Sequence, residues 1–256
     1  MQQNVASELI LSQSAIILSL VGMSFGWKGV MTKYAGFYDT QTAWNQVFWG
    51  LLLGGFYGYL ANAFILEPAL LGTYGGGQGQ FNVINVILVA LLTTIGAHFM
   101  LLRKKVRANN SQATSGWALG LSLGAMIAMF FIARMLIETG LTFRSMANAI
   151  VFCLVAPRAE AMITCFHGHL MVQGRRWGAV IRSMSFRMIL IVLLVSAVDF
   201  YPTWLFIIPF LFIFQSKTNE WIWDSIPKEA RRRLRRIWAS QSRIQQPTAV
   251  PSNEEE

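Results

Sequence analysis

Apolar residues in this chain gather into blocks of roughly 16 to 22, the length at which a helix crosses the hydrocarbon core of a bilayer. That feature calls for an all-α, polytopic integral membrane bundle. Spans are read at residues 9–27, 47–66, 81–102 and 117–137. A fifth helix covers 145–173. Its first half is apolar, and the membrane-crossing part is read at 145–166. Its polar part, with Arg158, Glu160, His167 and His169, is expected to continue as a cytoplasmic stalk, with Pro157 at a kink. Only 13% of the 256 residues are charged, against ~25% in an average soluble domain. This excludes a disordered chain, a collagen and a disulfide scaffold. Cys153 and Cys165 fall on different faces of one helix, so they are not expected to pair.

The last apolar block, 188–214, carries Asp199-Phe-Tyr-Pro202 at its middle. A single span would place the basic residues on its two sides across the membrane from each other, so a hairpin turning at Asp199–Pro202 is expected, either re-entrant or extending back towards Ser183 and on to Gln215. The membrane domain then occupies 1–216. A basic amphipathic tail follows at 217–243, and an acidic end at 244–256 is expected to be disordered. The glycine-rich tract 72–80 lacks the ending of a phosphate loop and reads as a connector.

Lys and Arg total 21 against 12 Asp and Glu, and their positions say more than the excess. Lys28, Lys33, Arg103–Arg107, Arg175–Arg187 and Lys217–Arg243 sit beside apolar blocks, the mark of cytoplasmic loops. Glu8, Glu67, Glu138 and Asp199 fall on the other side. Residues 1–8 hold no Lys or Arg, unlike a cleavable signal. The expected topology is N-terminus outside and C-terminus inside a bacterial inner membrane. No aromatic platform is interleaved with the basic residues, so the expected partners are the bilayer, anionic headgroups and other protein subunits rather than nucleic acid.

Two glycine rows stand four residues apart: Gly50, Gly54 and Gly58 in one span, and Gly116, Gly120 and Gly124 in another. Each lines one helix face and permits close backbone approach, so the two spans are expected to pack together or against a partner. Arg134 and Glu138 can pair across one helical turn as an intramembrane ion pair. Glu160 and His167 share a helix face, and with His98 they form the only candidate set for a catalytic or metal site. No metalloprotease helix motif and no paired cysteine motif occurs, and no cofactor is expected. In the tail, Ile226, Leu234, Ile237 and Trp238 form an apolar stripe flanked by Arg231, Arg232, Arg233, Arg235 and Arg236. This is the pattern of a helix lying in the membrane interface or docking a partner.

Two resemblances accompany these residues. Gly140-Leu-Thr-Phe143, Ala147-Asn148 and the stretch Glu160 to His167 resemble part of the intramembrane glutamate-type proteases, whose paired-glutamate motif has no counterpart outside the acidic end. Gln173-Gly-Arg-Arg-Trp-Gly178, Arg182-Ser183 and the hairpin that follows resemble membrane proteins of conjugative elements and type IV secretion. The second resemblance implies a membrane component of a transfer machine. The expected function is therefore a non-enzymatic subunit or accessory of a membrane assembly. Alternatives are a membrane-embedded hydrolase or metal enzyme using Glu160, His167 and His98, and a channel or small-solute transporter using Asn62, Arg134, Glu138 and Asp199. Scarce buried ionisable groups argue against a coupled ion pump.

Overall fold

The structure, a computed structural model, describes residues 2–35, 40–74 and 82–245. The glycine tract from 75 to 80 and the acidic end beyond 245 lie outside the described residues. Among the described residues there is no strand. The helices are α1 (Gln2–Lys33), α2 (Thr40–Ala61), α3 (Glu67–Tyr74), α4 (Val83–Leu101), α5 (Lys104–Ala108), α6 (Gln112–Thr139), α7 (Phe143–Val172), α8 (Arg176–Asp199), α9 (Trp204–Ser225) and α10 (Lys228–Gln245). The chain is an all-α bundle, and six of its helices are long and apolar enough to cross a membrane. α9 is strongly apolar only in its first half, to Phe214.

Local chemistry sets several of the ends. The Asn82 side chain accepts from the Ile84 amide at the start of α4. Thr142 and Ser145 form a reciprocal capping box at the start of α7. Gly140 and Gly174 adopt left-handed φ values of 70° and 78° where α6 and α7 stop, a conformation open to a residue without Cβ. α2 passes into α3 through a π-helical turn, Asn62–Leu66. Pro68 cannot donate to the carbonyl four residues earlier, and the Asn85 side chain donates to that Phe64 oxygen instead, at 3.0 Å.

Close contacts fix the helix directions. Gly50, Gly54 and Gly58 meet α6 at successively later residues, from Leu119 to Phe130, so α2 and α6 run parallel. Gly116, Gly120 and Gly124 meet Thr164, Glu160 and Ala156 in turn, so α6 and α7 are antiparallel. The two glycine rows do not face each other. One row seats α2 on α6, and the other seats α6 on α7. α6 is buried along most of its length between α1, α2 and α7. α7 receives α8 and α9 on its remaining surface. α1, α4, α7 and α9 point towards one end of the bundle, and α2, α6 and α8 point away. That end carries Lys33, Arg103, Arg175 and α10, and is the basic end.

Pro157 leaves α7 continuous. The carbonyl it releases, Cys153 O, points at Gly22 of α1 and lies where a Cβ on residue 22 would sit. A backbone contact between helices thus replaces a bond within one.

Three expectations need correction. The polar half of α7 is not a solvated stalk: Glu160, His167 and His169 are buried inside the bundle, because α4, α8 and α9 surround it. α8 begins at Arg176, well before residue 188, because Ala179 and Ser183 already face the bundle interior. Arg187 is not a loop charge. It is fully buried, and so falls outside the count of basic residues at the basic end.

Candidate functional site

The most demanding chemistry lies where α4, α7 and α8 meet. Arg187 is 0% exposed and Glu160 is 2% exposed. Arg187 Nε donates to Glu160 Oε2 at 3.0 Å. One terminal nitrogen donates to Thr94 Oγ1 at 2.9 Å and the other to Thr164 Oγ1 at 2.7 Å. Every guanidinium nitrogen is engaged, and the charge is matched by one carboxylate. Burying a charge this completely in a membrane helix is costly unless it is paired and hydrogen-bonded in this way. The bond to Thr94 ties α4 into the α7–α8 pair, so the network fixes three helices at once.

Towards the basic end, on the same helices, His98 Nδ1 and His167 Nε2 share a hydrogen bond of 2.8 Å, and His167 Nδ1 lies 2.7 Å from Ser183 Oγ. Ser183 Oγ also lies 2.6 Å from Ala179 O, which can only accept. The serine therefore donates its single proton to that carbonyl. His167 must then donate through Nδ1 to Ser183 and accept through Nε2 from His98. The donors thus run in one direction, from α4 to α7 and from α7 to α8, and end on a carbonyl of α8. A nucleophilic serine would need the reverse polarity, with its proton held by the histidine. The geometry is that of a polar clamp between α4, α7 and α8.

The predicted trio His98, Glu160 and His167 is thus only partly assembled. The two histidines meet, while Glu160 turns to Arg187. Among the described residues, no group of three His, Cys, Asp or Glu side chains is placed to hold a metal ion. From the sequence, Arg187 reads only as part of a basic loop, and Ser183 only as part of the Arg182-Ser183 resemblance. Half-buried Val180 and Met184 upstream of Arg187 are the signal that the helix is already packed on the bundle. Arg187, Glu160, His167 and His169 also remove the premise that buried ionisable groups are scarce.

At the opposite end, one Arg134 nitrogen lies 3.1 Å from both Glu138 and Glu67. Glu67 directly follows the π-helical turn, so the turn sets a carboxylate beside α6. The three side chains are partly exposed and combine to a net negative charge. Asn62 Oδ1 is buried without a hydrogen-bond partner among the described residues. The side chain of Asp199 lies outside the described residues.

The tail adds a different kind of site. Ile226 and Leu234 are buried against the bundle. Trp238 stacks on Trp223 at 5.5 Å, meets Tyr34 edge-on at 6.1 Å and donates to Lys33 O at 3.3 Å. Trp238 is therefore an internal anchor rather than part of the outward surface, because the stripe expected to meet membrane or partner is used against the bundle. Arg231 is corrected too: it donates to Ile226 O at 2.8 Å and Asp224 O at 2.9 Å, closing the carbonyl end of α9. Burial pushes the Tyr34 phenol up to about 12, so it stays a neutral donor to Asn219 O. Arg232, Arg233, Arg235 and Arg236 remain exposed, with Arg235 also lying over the Trp223 ring.

No known family, curated protein or solved structure matches the chain. The two resemblances rest on the quoted residues alone.

Proposed function

We propose that the chain is a non-enzymatic subunit of a membrane assembly that offers its basic end to an acidic protein partner in the cytoplasm. The supporting observation is the contrast between inner and outer charge. Within the bundle, Arg187 and Arg134 are matched by carboxylates of the same chain, and half-buried Arg158 of α7 is the exception, with no ion pair among the described residues. On α10, Arg232, Arg233, Arg235 and Arg236 face outward and make no ion pair among the described residues. The tryptophan stack holds α10 against the bundle, so these arginines sit on a fixed platform. A fixed array of one sign steers an oppositely charged partner and loses little entropy on docking. The positive-inside rule then puts the N-terminus outside and the C-terminus in the cytoplasm of a bacterial inner membrane. Transfer of macromolecules, of the secretion or conjugation type, is the process that the Gln173–Gly178 resemblance suggests for that assembly.

The test is affinity purification of the full chain in mild detergent. A stoichiometric partner should co-purify, release with salt and be lost when Arg232, Arg233, Arg235 and Arg236 are all changed to Gln. Purification of the wild type alone, or retention of the partner by the variant, would refute the reading. Reporter fusions at Gln3 and Ser252 check the orientation, with only Ser252 expected to report from the cytoplasm.

A further inference from the structure

α8 and α9 leave the turn at Tyr201–Thr203 and both pack on α7, but their backbones scarcely touch each other. Between them lies a cavity of about 130 Å³. Its walls are Ala159 and Ile163 of α7, Leu190 and Leu193 of α8, and Ile207 and Leu211 of α9. Towards the basic end it is bounded by contacting rings, with Phe186 at 5.8 Å and Trp221 at 6.0 Å from Phe214. The polar ionic network occupies the other face of α8.

A void of this size with only apolar walls is not a water site, because water needs two to four polar partners; a ~150 Å³ apolar cavity stays dry and takes up hydrocarbon. Ile189 and Phe210 stand at its margin and are about half exposed on the outer surface, so the gap opens sideways rather than into the bundle. An apolar gap open to the side of a membrane helix bundle has the chemistry to take an acyl chain.

The charge beside it selects a headgroup. Arg182 is exposed and precedes Phe186 by four residues and Ile189 by seven, so all three lie on one stripe of α8. It stands nearer the basic end than the cavity by about 6 to 16 Å, from the rise per residue to Phe186 and Leu193. A phospholipid of the leaflet at the basic end has this same order, phosphate first and chain deeper. Lys217, on the facing helix, is already paired with Glu220 at 2.9 Å. Arg182 makes no ion pair among the described residues.

We propose that the α7–α8–α9 gap is a binding site for one anionic phospholipid, with an acyl chain in the cavity and its phosphate at Arg182. The site is independent of the basic platform on α10.

Native mass spectrometry of the full chain tests it, after delipidation and titration with dioleoyl phosphatidylglycerol or dioleoyl phosphatidylcholine. One saturable phosphatidylglycerol should bind. Leu193→Trp and Leu211→Trp fill the cavity from opposite walls, and each should abolish that binding while elution volume and helical content are kept. Arg182→Gln lies on the surface and tests the headgroup even if both filled variants misfold. It should weaken phosphatidylglycerol about fivefold, to the level of phosphatidylcholine, which it leaves unchanged. Absence of a saturable lipid, undiminished binding by a folded filled variant, or an unchanged headgroup preference in Arg182→Gln would overturn the proposal. So would a dimer that Leu193→Trp dissociates, since a second copy would then cover the gap.

Discussion

Replacing Glu160 by Gln should cost far more stability than replacing Arg187 by Met, although each change removes one side of the same ion pair. The reason is an asymmetry in what is left behind. A guanidinium cannot give up its proton, so Glu160→Gln leaves a full positive charge at a site that is 0% exposed. Breaking a buried pair in this sense costs about 3–5 kcal/mol. Arg187→Met leaves a carboxyl that can bind a proton and become neutral, and Thr94 and Thr164 lose only one bond each. At about pH 4, where a Glu side chain of an unfolded chain is itself largely protonated, that cost is about 1–2 kcal/mol, set by the lost hydrogen bonds and imperfect packing; near pH 7 the neutral form costs several kcal/mol more. At this chain length a change of 1 kcal/mol moves Tm by about 2–4 °C. Thermal melting in detergent at about pH 4, followed by helical ellipticity, should therefore show a drop on the order of 10 °C for Glu160→Gln and of a few degrees for Arg187→Met. The double variant Glu160→Leu/Arg187→Met should melt well above Glu160→Gln, because it buries no charge. Equal losses in the two single variants, or a double variant no better than Glu160→Gln, would refute the argument.

Gly120→Ala should destabilise by about 1–3 kcal/mol, since its Cβ would lie 2.5 Å from Glu160 O and 2.6 Å from the Ala161 Cα, and backbone cannot yield as a side chain can. Gly29→Ala is the control: nothing stands within 4 Å of its Cβ, and it should be neutral or slightly stabilising in the same melt. Asn148→Leu should cost about 0.6–2 kcal/mol, because Asn148 accepts from Trp204 Nε1 at 2.6 Å and donates to Ala197 O at 3.1 Å, joining α7 to both arms of the α8–α9 turn. Its signature should be faster proteolysis within 197–204 at unchanged overall helicity.

The helical class was legible because span length and apolar composition are local properties. Glycines spaced by four were legible as a helix face for the same reason. Which helix each face meets was not. Gly50 and Gly116 look alike in sequence, yet one row meets side chains and backbone of α6 and the other meets the backbone of α7. Element edges were misjudged where polar residues turn inward. Gln112 and Ser115 open α6, and Ser183 lies in the first half of α8; all are buried, so a limit drawn at the apolar edge starts each helix late. Arg187 was hidden by the same assumption, that a charge beside an apolar block belongs to a loop.

These misreadings converge on α7. In lipid, apolar burial gives little preference for one helix pairing over another, so specificity must come from close packing or from polar bonds. α7 carries both on different faces. Gly116, Gly120 and Gly124 bring the α6 backbone against one side, where no polar side chain is needed. On another side, Glu160 and Thr164 meet Arg187, which reaches on to Thr94, and His167 meets His98 and Ser183. Helices α1, α2 and α6 are thus assembled mainly by backbone approach, and α4 and α8 mainly by polar contacts to α7. A stalk projecting from the bundle could do neither. The polar half of α7 is buried because it is where these two modes of cohesion meet.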